Sequence, residues 1–294
     1  MKTNLFYILT VILLCFTVCV TACGKNTETG AIEDNMESAV SDTEEYLING
    51  FDIRAISEYP EIETAIRNSI GVETGVLTGE DFRRVTSLDI SDMDIQDIAP
   101  VQALMNLTEL KASLNAITDL SPLAGLEHLC RLELNSNGVT DLTPLASLKI
   151  LTELYLRDNA ITDITPVAEL KNLQILYLSL NSITDVSPLS ELTALHYLDL
   201  MDNRITDISP LAELVNLKDA VLSSNMISDL TPLGGWGKIE RLAINSNPIT
   251  DISVLRDLTT LLQVMAVNCP VADFSPLDHV EYVEPYTRGE TGQR

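Results

Sequence analysis

The apolar positions of this chain recur on a fixed spacing. Asparagines stand at Asn115, Asn137, Asn159, Asn181, Asn203, Asn225 and Asn247, each 22 residues after the last. Apolar residues precede each one by three, five, eight and eleven places; for Asn159 these are Leu156, Leu154, Leu151 and Leu148. An aspartate follows four residues on, from Asp119 to Asp251, and a proline seven on, at Pro122, Pro144, Pro166, Pro188, Pro210 and Pro232. Within each unit the L-x-L piece alternates as a short strand, sending two side chains inward and their neighbours outward. A single unit cannot bury its leucines, so the units must stack and share one core.

L-x-x-L-x-L-x-x-N at a fixed period of this length is the signature of a leucine-rich repeat. The expected fold is an α/β repeat, a right-handed solenoid with a concave parallel β-sheet and short helical or 3-10 turns on the convex side. Asparagine suits the inner turn because its amide both donates and accepts hydrogen bonds, serving backbone groups that stacking buries. Cys269 falls one period after Asn247 and reads as a buried structural thiol at the same position, and Met93 falls one period before Asn115. Ser or Thr before Pro, as in Ser121-Pro122 and Thr143-Pro144, predicts an N-cap ahead of an N1 proline.

These patterns divide the chain. Residues 82–280 form the solenoid, of about nine turns. Residues 46–81 form a helical N-terminal cap: Ile62, Ala65, Ile66 and Ile70 lie at helical spacing, and Thr78 with Asp81 predicts a capping box. Residues 281–294 are expected as a C-terminal tail. Residues 23–45 are polar and acidic, a composition that suits a flexible tether.

Residues 1–22 read as an export signal, with Lys2 ahead of the charge-free apolar run Leu5 to Val20. Val20-Thr21-Ala22-Cys23 resembles a bacterial lipobox. That resemblance implies cleavage before Cys23 and a lipid on its sulfur, which would hold the protein on the extracellular face of the bacterial cell membrane. A plain signal peptide and an uncleaved anchor helix are the alternatives.

The repeats, including the recurrent I-T-D-I/L/V-S/T-P-L stretch, are similar to the 22-residue class of the internalin family of bacterial surface proteins. Glu61-Ile62-Glu63-Thr64-Ala65-Ile66-Arg67 with Thr86-Ser87-Leu88-Asp89-Ile90-Ser91 resembles the cap that opens many members. The resemblance covers about residues 58–280 and implies a protein partner held on the concave face. An L-P-x-T-G sorting motif and a following immunoglobulin-like domain are absent from the sequence, so an invasion role is not expected.

Composition narrows the function. Acids outnumber bases 43 to 18, for a formal charge of −25, which argues against nucleic acid as a partner. The imbalance fits cationic or mixed-charge partners, and solubility alone would also explain it. Cys130 and Cys269 stand about six repeats, or roughly 30 Å, apart at ordinary strand spacing, too far for a disulfide. His128, His196 and His279 are scattered without a catalytic or metal-binding motif, so no enzyme, cofactor or metal is expected. The aspartate column reads as local backbone capping rather than calcium binding, although Asp89, Asp92, Asp94 and Asp97 are denser and leave a cation open there. Trp236 occupies a leucine position and is expected in the core.

The outward strand positions vary where the inward ones do not. Tyr155, Tyr177 and Tyr197 fall on successive strands, with Ile175, Leu180 and Met201 beside them and Arg157 and Asp199 at the margin. These residues are the candidate partner-binding patch, since aromatic residues, Met and Arg concentrate at interface cores. The bland alternative is that they shield the sheet. A protein of a host, a neighbouring cell or the cell's own envelope is the expected partner of a monomeric chain. An envelope scaffold and a glycan-binding accessory remain as alternatives.

Overall fold

The computed structural model describes residues 46–284. The expected signal, the lipidation site Cys23 and the tether lie outside the described residues. Ten strands form one parallel sheet in strict chain order. They are β3 (Ser87–Asp89), β4 (Glu109–Lys111), β5 (Arg131–Glu133), β6 (Glu153–Tyr155), β7 (Ile175–Tyr177), β8 (Tyr197–Asp199), β9 (Asp219–Val221), β10 (Arg241–Ala243), β11 (Gln263–Met265) and β12 (Tyr282–Glu284). Short 3-10 turns carry the chain back between strands, as at Thr165–Glu169 and Ser187–Leu189. This is the leucine-rich-repeat solenoid.

The core is a stack of fully buried aliphatic residues, among them Leu154, Leu156, Ile161, Ile164, Val167, Leu170 and Leu173 for a single turn. Trp236 is buried with them, and its indole N–H donates to the Leu211 carbonyl at 3.0 Å. A wide side chain fits there because its polar atom has a partner.

The asparagine column ties the turns together. Asn181 Nδ2 donates to the Leu156 carbonyl of the preceding turn at 3.0 Å, and to Leu178 at 3.0 Å and Ser179 at 3.2 Å in its own. Its Oδ1 accepts from the Ile161 N–H at 3.0 Å. The same set recurs at Asn137, Asn159, Asn203 and Asn225. Cys269 keeps one part of it: Sγ donates to the Ile244 carbonyl at 3.1 Å. The thiol is half-buried rather than enclosed, and burial raises its pKa. Met93 does not join the ladder; its side chain is exposed, and its backbone N–H donates to Asn115 Oδ1.

The aspartate column caps backbone, but by a different route from the expected N-cap. The residue ahead of each 3-10 turn is apolar, as at Leu142 and Val186, and gives no side-chain cap. The Ser or Thr is the first residue of the turn, and its N–H donates back to the aspartate. Thr143 N donates to Asp141 Oδ1, Ser187 N to Asp185 Oδ1 and Ser275 N to Asp273 Oδ1, at 2.8 to 2.9 Å. Hydrogen bonds from the side chain and backbone of Thr143 hold the Asp141 carboxyl below its ordinary pKa. In the denser group, Asp89 accepts from Ser91 N and Asp97 from Ala99 N and the Tyr59 hydroxyl.

The N-terminal cap is a hairpin of β1 (Leu47–Ile48) and β2 (Phe51–Asp52), a 3-10 turn over Ile53–Glu58, then helices α1 (Pro60–Ile70) and α2 (Gly79–Arg84). The hairpin was not visible in the hydrophobic pattern. Helix α1 starts on Pro60 with Glu61 and Glu63 in its first turn, and stops at Gly71, whose φ of 70° suits a residue without a Cβ. The Thr78–Asp81 capping box is present. Helix α2 crosses residue 81, the expected end of the cap, so Phe82 and Val85 close the cap's core on to Leu88.

At the other end the expected tail begins inside the sheet. Strand β12 pairs with β11 through Gln263↔Tyr282, an interval of 19 residues instead of 22. It lacks the leucine and asparagine marks of the repeats and adds one strand to the nine expected.

Replacing Asn181 by Ala removes the side-chain partner of the buried Ile161 N–H and of the Leu156, Leu178 and Ser179 carbonyls. Urea unfolding should show a loss of about 2–4 kcal/mol, against a smaller loss for the exposed cap variant Asp185→Ala; equal losses would remove the ladder from its central place.

Candidate binding site on the concave sheet

Strand pairing places the outward residues in columns. Tyr155 on β6 is in register with Tyr177 on β7, and Ile175 on β7 with Tyr197 on β8. Adjacent strands lie about 4.8 Å apart, which is also a favourable distance between stacked aromatic rings. The tyrosines use that coincidence. Tyr155 and Tyr177 stack at 4.9 Å between centroids with 19° between planes, and Tyr177 and Tyr197 at 4.6 Å and 24°.

A cation extends the stack. The Arg131 guanidinium on β5 sits 4.8 Å from the centre of the Tyr155 ring. Glu133 at 2.7 Å, Glu109 at 3.4 Å and Glu153 hold it there. The Tyr155 hydroxyl donates to Glu153 at 2.8 Å. Each aromatic pair contributes about 0.5–1.5 kcal/mol and the exposed cation–π contact about 0.5–1 kcal/mol. The sequence reading missed Arg131, although its column places it one strand before Tyr155, diagonal to it.

The remaining candidates divide. Met201 is 39 % exposed, Arg157 is exposed, and Ile175 and Leu180 are half-buried. Asp199 is a correction to the expected patch. It is only 6 % exposed, its carboxylate accepting from Ser179 Oγ at 2.7 Å and from the Met201 N–H at 3.0 Å. It is therefore covered and engaged rather than open to a partner at the margin. It keeps its outward register with Tyr177, and the Ser179 hydroxyl bonds its carboxylate there.

The backbone carries a second column. The residue before each ladder position is left-handed: Leu114, Ser136, Asp158, Leu180, Asp202, Ser224, Ser246 and Asn268 have φ between 53° and 59°. Asp and Asn tolerate this region, whereas a bulky Leu is an outlier there. Such strain costs about 1–3 kcal/mol. Leu180 stands between Asp158 and Asp202, one turn to either side: Asn159 N donates to the Leu180 carbonyl and Asn181 N to that of Asp202. Asp158 and Asp202 are exposed and form no ion pair among the described residues, while Arg131 and Arg241 are engaged by neighbouring acids.

With this geometry in view, comparison with known proteins fixes the family. The family described as Leucine Rich repeats (2 copies) matches residues 149–191 and 171–213. The crystal structure of an internalin (inlF) from Listeria monocytogenes is similar at a TM-score of 0.74 and 31% identity, over 76% of this chain and 68% of that one. An internalin C2 (inlC2) from the same organism gives 0.69 and 36%, over 70% of this chain and 92% of that one. The chain belongs to the internalin family. The leucine-rich-repeat ectodomain of the Arabidopsis thaliana receptor kinase GASSHO1/SCHENGEN3 gives 0.57 and 22%, over 63% of this chain and 24% of that one, and shares the fold. No curated protein matches the chain.

Like other leucine-rich-repeat proteins, this internalin-family chain has the form of an interaction module. Among the described residues no helix is long and apolar enough to cross a membrane, and no three His, Cys, Asp or Glu residues group as a metal site. A shallow space of about 370 Å³ lies by the cap between Glu58, Tyr59, Glu61 and Met93–Asp97, and none of Tyr155, Tyr177 and Tyr197 lines it.

The stack also makes a pH prediction. Burial, then the hydrogen bond to Glu153 and its charge, push the Tyr155 pKa up to about 12. Burial and the Tyr177 hydroxyl raise that of Tyr197. A raised folded pKa favours the native state below the unfolded value of about 10. That contribution disappears as pH climbs through the folded value. Unfolding stability should therefore decline from pH 10 to about 12. Tyr155→Phe should flatten the decline; an unchanged profile would deny the burial of the hydroxyl.

Proposed function

We propose that this chain is a membrane-anchored extracellular module that recognises a protein partner on its concave sheet. The observation that carries the reading is the continuous Arg131–Tyr155–Tyr177–Tyr197 stack on a sheet face that the fold leaves open. Folding does not need aromatic residues at outward positions, since Val221 and Ala243 occupy the same column on β9 and β10. Membership of a family of bacterial surface proteins supports the extracellular placement, and the lipobox-like Val20-Thr21-Ala22-Cys23 supports an anchor through a lipid on Cys23.

The stack also favours protein over glycan. Sugars bind aromatic side chains through the ring faces. Here both faces of Tyr177 are covered by its neighbours, and Tyr155 lies between Tyr177 and Arg131. Ring edges and hydroxyls remain, and these suit the mixed polar and apolar surface of a polypeptide. The role is adhesion or another contact at the cell surface; organising exported proteins of the same envelope is the alternative.

The test compares capture by the full chain with capture by the Tyr155→Ala/Tyr177→Ala/Tyr197→Ala variant, whose fold is checked by circular dichroism. The expected outcome is a protein, identified and then purified, that binds the parent and binds the variant at least tenfold more weakly. A foreign protein favours adhesion and a resident envelope protein the scaffold. Unchanged capture removes the tyrosines from the site, and binding to glycan arrays alone overturns the protein reading. For the anchor, metabolic labelling with palmitate should mark the parent and not Cys23→Ala; labelling of both would sink the lipid assignment.

A further inference from the structure

We propose that the binding strip runs past the tyrosine stack on to the left-handed column, and that its occupant is a basic polypeptide segment seating an arginine or lysine at Leu180. This rests on the concave face being the binding face and names the chemistry of the segment that binds there. The first observation is backbone. Leu180 holds φ 57°, in a column where Asp, Ser and Asn fill most positions, and it keeps part of its surface open. A leucine there works against the local conformational preference. Leu114 is the other leucine of the column, at φ 59° and 57 % exposed, but its counterparts one turn away are Asp92 and Ser136, whereas Leu180 alone stands between two aspartates.

The second observation is the surroundings of that leucine. Exposed Met201 extends the apolar surface on the adjoining turn, its carbonyl accepting from the Leu180 N–H at 2.8 Å. Asp158 and Asp202 stand on either side with no ion pair among the described residues, although Asp158 Oδ2 accepts from Ser136 Oγ of the preceding turn at 3.0 Å and leaves Asp202 as the more open carboxylate. An aliphatic core between two carboxylates fits a side chain with an apolar stem and a cationic head, and lysine and arginine are such side chains. The protein offers its own precedent in Arg131, which lies on Tyr155 with carboxylates around its head.

Geometry supplies the form of the partner. Leu180 is three residues beyond Tyr177, about 10 Å along the strand direction. An extended segment of three or four residues spans from the tyrosine edges to the carboxylates. The excess of acids in the whole chain would draw such a segment in and would repel an acidic one.

The experiment selects random dodecapeptides displayed on phage against the full chain. The recovered peptides are then synthesised and tested against Leu180→Asn, Asp202→Asn and the convex-side control Glu191→Gln. The expected peptides carry Lys or Arg next to an apolar residue. They bind Leu180→Asn and Asp202→Asn at least tenfold more weakly, bind the control as well as the parent, and weaken as salt rises. Thermal unfolding should place Leu180→Asn at or above the parent, since asparagine tolerates the left-handed backbone. Selected peptides without a basic residue overturn the proposal, as does equal weakening by the convex control, which would reduce the effect to net charge. A lower melting temperature for Leu180→Asn assigns the leucine to folding and also overturns it. Peptides lost from the triple tyrosine variant but indifferent to Leu180 and Asp202 leave the concave module standing and remove only this extension. Failure to select any peptide counts against it as well.

Discussion

The asparagine amide is the interaction on which the rest of the molecule depends. A stack of short strands buries the backbone groups at every inner corner, and these groups cannot be left unpaired. One amide answers several of them at once, reaching a carbonyl and an N–H of the preceding turn and two carbonyls of its own. Because both contacts to the preceding turn must be made together, the turns cannot slide against one another. The 22-residue period is the sequence record of that geometric demand.

Fixed register has a consequence for the outer surface. Once every turn is the same length, outward positions fall into straight columns at strand spacing, whatever residues occupy them. That spacing is close to the separation at which aromatic rings stack, so Tyr155 and Tyr177 meet face to face in one column, while Tyr197, in register with Ile175, reaches Tyr177 diagonally to continue the array. The same columns concentrate charge. Glu109, Glu133 and Glu153 converge on Arg131, and Asp219 on Arg241, whereas Asp158 and Asp202 form no ion pair among the described residues. A scaffold held by buried amides is thus free to vary its exposed chemistry turn by turn, and recognition is written in that variation.

The features readable in the sequence are those that repeat or obey a local rule. The ladder, the strand registers, the aspartate caps, the buried Trp236 and the Thr78 capping box each follow from spacing or from a short motif, and each is present. The features that escaped depend on side-chain size and backbone conformation. Asp199 is outward by its parity, yet it is covered there and its carboxylate is taken up by the Ser179 hydroxyl and the Met201 N–H. The Ser-Pro and Thr-Pro pairs resemble N-caps, but the aspartate two residues earlier bonds the turn's first N–H and shifts the cap by one place. Leu180 reads as one more apolar residue until its positive φ marks it as a residue the fold does not favour. The hairpin before α1 was hidden because two-residue strands leave no periodicity to detect.

The role of the amide is clearest at the two ends, where other residues replace it. At the first turn the ladder position holds Met93, which cannot bond the inner corner, and its side chain stays in solvent. There the cap helices pack on the sheet, and Asn115 reaches back to satisfy both Met93 N and Ile95 N. At the far end Cys269 supplies a single sulfur donor, which reaches the Ile244 carbonyl of the preceding turn. Each asparagine couples its own turn to the one before it. Beyond Cys269 no ladder amide lies among the described residues, and there the interval between paired strands falls from 22 to 19. The interval of 22 still holds between β10 and β11, where Cys269 stands in the ladder, and is lost only at β12, whose turn has no ladder residue among the described ones. Backbone bonding therefore suffices to add a strand, and the turns stay commensurate where a ladder side chain reaches back to the preceding turn. The tyrosines sit on β6 to β8, the middle of the ladder, where that commensurability is enforced from both sides. A continuous stack of rings needs the shared register that the ladder holds across these turns.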